Sequence, residues 1–149
     1  MSSSEEKLTR SLEEYLEAIY SLKLSGKTPR VKAIAKAMGV KLSSVTDAVR
    51  RLADLGFLDY ERYGDIKLTE KGEAVARAIY NREKLLYKFL REMLMVDDEI
   101  ALKDACRMEH DLSKETIDNL TSFMEFLEKE FGEELKHRFA NYLEAKSKS

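Results

Sequence analysis

The order of predicted elements in residues 1–70 constrains the fold of this chain more than any other feature. Three segments with apolar side chains at helical spacing are followed by two short β-type segments. These five segments span residues 8–24, 31–38, 43–55, 57–61 and 66–69. Tyr63-Gly64-Asp65 makes a tight connection between the last two. The order of helix, helix, turn, helix and hairpin predicts a winged helix-turn-helix.

Polar side chains indicate where two of these helices begin. Ser11 and Glu14 have the spacing of a capping box, in which each side chain bonds a backbone N–H at the start of a helix. Ser43 or Ser44 is expected to cap the third helix, and Asp47, three residues after Ser44, completes a second box.

The rest of the chain carries a helical pattern. The longest helix is expected from Glu70 to about Leu94, with a break before Asp98. Shorter helices are expected at about residues 98–110, 114–129 and 133–145, with Ser113 as a cap and Gly132 between the last two. The sequence therefore predicts a mainly α protein, in which a winged helix-turn-helix DNA-binding domain at residues 1–72 precedes an all-helical domain at residues 73–149.

Composition narrows the class of protein. With 149 residues, of which 44% are hydrophobic, the chain is long enough for one or two small domains with a core. No apolar run reaches the length of a membrane span, and the first residues are too polar for a signal peptide. A single cysteine excludes an internal disulfide framework, and a free thiol fits a reducing compartment. We therefore expect a cytoplasmic protein that does not enter a membrane.

Charge is distributed unevenly along the chain, although the net charge is only −2. Residues 1–91 carry 18 basic and 13 acidic residues, whereas residues 92–149 carry 8 basic and 15 acidic ones. A net charge of +5 in the first part suits a phosphate backbone, and −7 in the second part repels one. DNA contact is therefore expected in the first part.

The N-terminal turn of the third helix is the expected DNA-reading element, because the second helix of this motif enters the major groove. Short hydroxyl side chains there let the backbone approach phosphates, which a helix N-terminus favours. The candidate DNA-binding residues are Lys41, Ser43, Ser44, Thr46, Asp47, Arg50, Arg51, Arg62 and Lys67. Two alternatives stay open: the serines are only caps beside solvated basic residues, or the winged domain binds protein.

Potential metal ligands cluster in one short segment of the second half. Cys106 is three residues from Glu109 and four from His110, so a helix places all three on one face. A thiolate, a carboxylate and an imidazole form a set of metal ligands. The alternative is a small buried cysteine beside two solvated polar residues.

Three further glutamates fall on predicted helices. Glu14 and Glu17 are three apart on the first helix, and Glu83 lies midway along the longest one. Carboxylates suit manganese and ferrous ions, whereas sulfur shifts the preference toward iron, nickel, cobalt or zinc. Taken singly, each glutamate is more often plain surface charge.

Four short motifs are specific in combination. They are Leu12-Glu13-Glu14-Tyr15-Leu16-Glu17-Ala18-Ile19-Tyr20, Ser43-Ser44-Val45-Thr46, Leu68-Thr69-Glu70-Lys71-Gly72, and Ala105-Cys106-Arg107-Met108-Glu109-His110 leading into Leu112-Ser113. With them the chain resembles, over roughly residues 10–125, the diphtheria-toxin-repressor family of metal-dependent transcriptional regulators, and within it the shorter manganese-regulator branch. The resemblance implies a cytoplasmic homodimer, not an enzyme, that binds a palindromic double-stranded DNA operator when loaded with metal. It also implies repression of uptake genes for that metal, and a helical domain that holds both the metal and the dimer contacts.

The same resemblance implies a set of metal ligands drawn from both predicted domains. They are Glu14, Glu17, Glu83, Cys106, Glu109 and His110. Cys106 matches the iron branch and Glu17 the manganese branch, while Glu83 stands where both usually have a histidine. Tyr87 and Leu102 replace two ligands of the iron-branch ancillary site, so that site is not expected, whereas a two-metal cluster of the manganese type is compatible with the six residues. The implied ion is Fe²⁺ or Mn²⁺, with Zn²⁺, Co²⁺ or Ni²⁺ as substitutes in vitro.

The dimer surface and the function each keep alternatives. The helices from about Glu73 to Phe126 are expected to carry the dimer contacts, although an intramolecular core explains the same apolar residues equally well. The candidates are Ile79, Leu86, Ile117, Leu120 and Phe123. The rival functions are a winged-helix regulator that no longer uses metal, a metal-dependent hydrolase, and a helical protein-interaction module.

Overall fold

A computed structural model describes residues 8–61 and 64–148 of the chain. The helices are α1 (Arg10–Leu24), α2 (Val31–Met38), α3 (Leu42–Asp54), α4 (Glu70–Lys88), α5 (Asp98–Asp111) and α6 (Lys114–Ser147), and the strands are β1 (Leu58–Tyr60) and β2 (Ile66–Leu68). A π-helical turn at Phe89–Met93 follows α4 directly. The prediction of a mainly α protein is confirmed.

The chain forms two compact units, Met1–Tyr80 and Asn81–Ser149, and the division falls within α4. The domain boundary after residue 72 stays a prediction. No helix among the described residues is both long enough and apolar enough to cross a membrane.

The first unit is a winged helix-turn-helix, as the element order predicted. Its three helices present apolar side chains at a spacing of about 3.6 residues, so each helix can bury one face against the others. Side chains with almost no exposure in this core are Leu16, Ile19, Ile34, Val45, Val49, Leu52 and Ile66. Strands β1 and β2 pair antiparallel with Leu58 opposite Leu68 and Tyr60 opposite Ile66. Leu58 and Ile66 point into the core and attach the hairpin to the helices.

The N-caps predicted for α1 and α3 were wrong. The N-cap of α1 is Thr9, whose extended backbone lets its hydroxyl accept a hydrogen bond from Leu12 N at 3.1 Å. The N-cap of α3 is Lys41, and its side chain makes no capping bond. Because α3 begins at Leu42, Ser43 and Ser44 already lie within its first turn and cannot act as caps.

The segment Thr69 to Gly72 anchors the start of α4 to the end of α3. The Thr69 hydroxyl accepts a hydrogen bond from Gly72 N at 3.0 Å and donates one to Gly56 O at 2.7 Å. Lys71 Nζ donates to Leu55 O at 3.1 Å and so satisfies a carbonyl at the end of α3. These bonds hold the first residues of α4 beside the last residues of α3.

The second unit packs α5 and α6 against the end of α4. Its core consists of Leu86, Leu90, Ala101, Ala105 and Ile117. The predicted cap at Ser113 is confirmed, since its hydroxyl accepts from Thr116 N at 3.2 Å. The predicted separation at Gly132 is confirmed as a kink inside α6, where the backbone is not helical (φ 53°, ψ −136°).

Candidate DNA-binding face and metal centre

Helix α3 presents one apolar and one polar face. Val45, Ala48, Val49 and Leu52 are buried in the core of the first unit, which leaves the opposite face of the helix in solvent. The predicted DNA-binding residues that are exposed are Lys41, Ser43, Ser44, Asp47, Arg50 and Arg51, together with Lys67 on β2. Thr46 is half-buried, and its hydroxyl donates to Leu42 O at 3.1 Å. Arg62 lies outside the described residues.

The predicted ligands on α1 lie in the first unit. Glu14 and Glu17 are both half-buried, less than one helical turn apart. The Glu14 carboxylate accepts a hydrogen bond from Arg10 Nε at 3.2 Å. Burial, followed by the negative charges of Asp47 and Glu14, raises the pKa of the Tyr15 phenol.

Four predicted ligands converge within the second unit. Cys106 Sγ, a Glu109 carboxylate oxygen and, from α4, a Glu83 carboxylate oxygen each lie within 4.8 Å of one or other ring nitrogen of His110. Donor atoms bound to one ion at about 2.0–2.3 Å are separated by at most about 4.6 Å, so these spacings are close to those of a coordination shell. The helical spacing that grouped Cys106, Glu109 and His110 thus agrees with the approach of Cys106 and of Glu109 to His110, and their role as metal ligands stays a prediction.

Glu83 supplies the observation that tests whether the donor set fits a cation. Its Oε2 atom is buried, and the described residues offer it no hydrogen-bond donor. A buried carboxylate oxygen without a donor is costly, and a bound cation removes that cost. Two carboxylates, a thiolate and an imidazole also match the ligand preferences of divalent transition metals. The residues present therefore fit a metal ion.

Glu109 is the most deeply buried carboxylate of this group. Its side chain is 2% exposed, and its Oε2 accepts a hydrogen bond from Arg82 Nε at 2.5 Å. Sequence reasoning missed Arg82, because its partner lies 27 residues away and no local spacing links the two. The signal that was available is weaker: Arg82 directly precedes Glu83 on the helix that carries a candidate ligand.

Tyr87 and Leu102, which stand where the iron branch has two ancillary metal ligands, do not form a pair of metal ligands. The Tyr87 hydroxyl donates to Asp98 Oδ1 at 2.5 Å and thereby joins α4 to α5. That hydrogen bond is the main reason why the pKa of Tyr87 is raised, with desolvation and the Asp98 charge adding to it. Leu102 is 53% exposed and offers no donor atom.

Apolar residues predicted at the dimer surface divide into two groups. Ile79, Leu86 and Ile117 are at most 2% exposed, so they are buried core residues and for them the prediction was wrong. Their burial follows from inward-facing positions on α4 and α6, which the sequence pattern cannot distinguish from an interface. Leu120 is half-buried, whereas Phe123 is 52% exposed and its ring stacks on that of Phe126.

Comparison with known proteins decides the family. The model of the N-terminal DNA-binding domain of iron-dependent repressors matches residues 7–66, and that of their metal-binding and dimerisation domain matches residues 69–134. A helix-turn-helix-type transcriptional regulator of Methanocaldococcus jannaschii is 39% identical over 119 residues, which cover 79% of this chain and 95% of that protein. The chain belongs to the diphtheria-toxin-repressor family. Members of this family are metal-dependent transcriptional regulators, not enzymes, and their second domain makes a homodimer.

Relatives of this diphtheria-toxin-repressor family member include a transcriptional regulator and a manganese regulator of known structure. The transcriptional regulator MntR of Lysinibacillus sphaericus is 39% identical over 120 residues, which cover 80% of this chain and 86% of MntR. The solved structure of the manganese regulator SloR has 26% sequence identity and a TM-score of 0.67, and the match covers 77% of this chain and 54% of SloR. The chain thus spans about half the length of that solved relative and most of the length of MntR.

Proposed function

We propose that this protein represses metal-uptake genes by binding a palindromic operator in the cytoplasm when Fe²⁺ or Mn²⁺ is bound. The observation that carries the proposal is the convergence of Cys106, Glu109 and Glu83 on His110 in the second unit. The description of SloR as a manganese regulator favours manganese, whereas the thiolate of Cys106 shifts the preference toward iron, nickel, cobalt or zinc. The cytoplasm is the compartment where a DNA-binding regulator meets its operator.

The proposed ligand set adds two residues of α1 to the four in the second unit. Glu83 and Glu109 supply carboxylate oxygens, Cys106 a thiolate and His110 a ring nitrogen. Glu14 and Glu17 are added on the family resemblance. When bound, the ion supplies positive charge that neutralises the carboxylates, together with fixed directions of coordination.

In this proposal α1 carries the signal to the DNA-binding surface. Coordination through Glu14 and Glu17 would restrict α1, whose buried face packs in the same core as α3. The two winged units of a homodimer would then lose freedom, and their α3 helices would be held at the spacing of successive major grooves. The proposed DNA contacts are Lys41, Ser43, Ser44, Thr46, Asp47, Arg50, Arg51, Arg62 and Lys67. The solvent-facing side of α3 and its basic residues support the contacts at residues 41–51, and the exposure of Lys67 on β2 supports that one. Arg62 is included from the sequence alone.

The test compares operator binding by metal-free and metal-loaded protein. A duplex from the chain's own upstream region is titrated in chelator, in Mn²⁺, and in Fe²⁺ without oxygen, with Zn²⁺ and Co²⁺ alongside. We expect one metal to tighten DNA binding, and the operator to tighten binding of that metal by the same factor, as linkage requires. Equal binding in chelator and metal would refute the proposal and favour a regulator that no longer senses metal.

Two histidine variants make the test specific. His110→Ala removes a proposed ligand and is expected to abolish the effect of metal on DNA binding. His137→Ala is the matched control, since it removes the chain's other histidine from an exposed position on α6. Loss of the metal effect in both variants, or in neither, would contradict the assignment of the site.

A further inference from the structure

The Glu109 carboxylate already has a cationic partner inside the second unit. Glu109 is almost fully buried, with 2% of its side chain exposed, while the Arg82 side chain is 31% exposed. A buried carboxylate requires a partner, because removing its charge from water costs free energy that only a nearby cation or hydrogen-bond donor can offset. Arg82, whose Nε lies 2.5 Å from Glu109 Oε2, is such a partner.

The neighbouring groups show that the pair lies within the donor cluster. Glu109 is adjacent in sequence to His110, and Arg82 is adjacent to Glu83. Both Glu83 and Glu109 place a carboxylate oxygen within 4.8 Å of a His110 ring nitrogen. A guanidinium stays protonated at all ordinary pH values, so a permanent positive charge stands beside the donor atoms.

We propose that Arg82 is a built-in competitor for the metal, which releases Glu109 when the ion binds and so sets the metal concentration at which the protein responds. This inference rests on the proposed metal site. On loading, the Glu109 carboxylate exchanges its hydrogen bond with Arg82 for a bond to the ion, and no proton is moved. The guanidinium then turns outward, which its partial exposure permits.

The expected size of the effect follows from Coulomb's law. A single and a double positive charge about 6 Å apart repel each other enough, even in a water-like dielectric, to weaken binding about tenfold. Breaking a charge-assisted hydrogen bond to a buried carboxylate weakens metal binding further. Removing the Arg82 charge should therefore tighten metal binding by about tenfold or more.

The experiment measures Mn²⁺ binding to the full-length protein without DNA, by competition with a fluorescent chelator. Arg82→Gln is expected to bind Mn²⁺ at least about tenfold more tightly than wild type. The metal-free variant should melt at a lower temperature than metal-free wild type, because Glu109 loses its hydrogen bond with Arg82. Mn²⁺ should raise the melting temperature of the variant by a larger amount. Arg82→Lys keeps the charge and should stay near wild-type affinity.

Lys88→Gln is the matched control. It removes one positive charge from the same helix, where Lys88 Nζ lies 3.3 Å from the carboxylate of Glu128. Its affinity for Mn²⁺ should stay within about threefold of wild type, since its charge is more than one helical turn from Arg82.

Each other outcome overturns the inference in a recognisable way. Weaker binding by Arg82→Gln would mean that Arg82 positions Glu109 in the loaded site. Unchanged affinity with a lower melting temperature would mean that the pair is purely structural. Should Arg82→Gln fail to fold, Arg82→Met takes its place with the same expectation of tighter Mn²⁺ binding, and unchanged or weaker binding by Arg82→Met refutes the inference. If wild-type protein binds no Mn²⁺, Fe²⁺ or Co²⁺ at all, the proposed function fails as well.

Discussion

Replacement of Gly72 by alanine tests how closely α4 packs against the segment that follows α3. A Cβ atom built on Gly72 would lie 1.9 Å from Phe57 O and 2.8 Å from Phe57 C, both of which are backbone atoms. Real Cβ contacts are almost never shorter than 3.0 Å, so the two segments must separate by about 1.1 Å. Neither segment can relieve this clash by rotating a side chain.

Two opposing effects decide the sign of the change in stability. Overpacking of this kind costs about 1–3 kcal/mol. The separation also strains the hydrogen bonds from Thr69 N to Phe57 O and from Thr69 Oγ1 to Gly56 O, each worth about 1 kcal/mol. Alanine in place of glycine in a helix returns about 0.5–1 kcal/mol. We therefore expect Gly72→Ala to lower the free energy of unfolding by about 2–3 kcal/mol.

Thermal unfolding at fixed protein concentration, followed by circular dichroism, measures this change. For a chain of this size about 2–3 kcal/mol corresponds to a melting temperature lower by roughly 5–10 °C. Gly39→Ala is the comparison, because Gly39 has φ +68° but open space around its Cβ position, so only backbone strain of about 1 kcal/mol applies. If Gly72→Ala melts at or above the wild-type temperature, the gain in helix propensity outweighs any clash. The argument that α4 packs too closely on the Phe57 backbone to admit a Cβ atom would then be refuted.

Three further predictions follow from the same structure. Arg50→Gln should weaken operator binding and reduce the slope of log affinity against log salt concentration by about 1, as measured by fluorescence anisotropy. The pKa of Glu73 is lowered chiefly by its hydrogen bond with Lys23. The ionised carboxylate therefore stabilises the fold above its unfolded-state pKa, and this stabilisation is lost as pH falls through the lower, folded-state pKa. Glu73→Gln should make the free energy of unfolding, measured by urea titration, depend less on pH on the acid side. Phe126, 51% exposed in the second unit, is proposed as a dimer contact, and Phe126→Ser should raise the dimer dissociation constant by at least about tenfold in sedimentation experiments. Leu24→Ser, at a similarly exposed position of the first unit, should leave that constant unchanged.

Local sequence patterns were sufficient to predict the order of helices and strands along the chain. Helical spacing of apolar residues and short glycine-containing breaks indicated the winged helix-turn-helix, because these signals act over a few residues. Helix starts were harder to predict, since Thr9, Ser11, Ser43 and Ser44 all have side chains that can cap. In the folded chain Thr9 caps α1 through its side chain, whereas no side chain caps α3.

In the candidate metal centre, too, local spacing predicted some features and packing between helices determined the others. Cys106, Glu109 and His110 could be grouped from the sequence because they share a face of one helix, and the family resemblance added the glutamates of other helices. The pairing of Arg82 with Glu109 and the donor-free oxygen of Glu83 became visible only when α4 and α5 were packed together. Apolar pattern alone likewise could not separate core from dimer surface among Ile79, Leu86, Ile117 and Phe123, since both environments remove the same side chains from water. Which carboxylate is paired and which apolar side chain stays exposed depends on contacts between residues far apart in the chain, and those contacts are formed by packing.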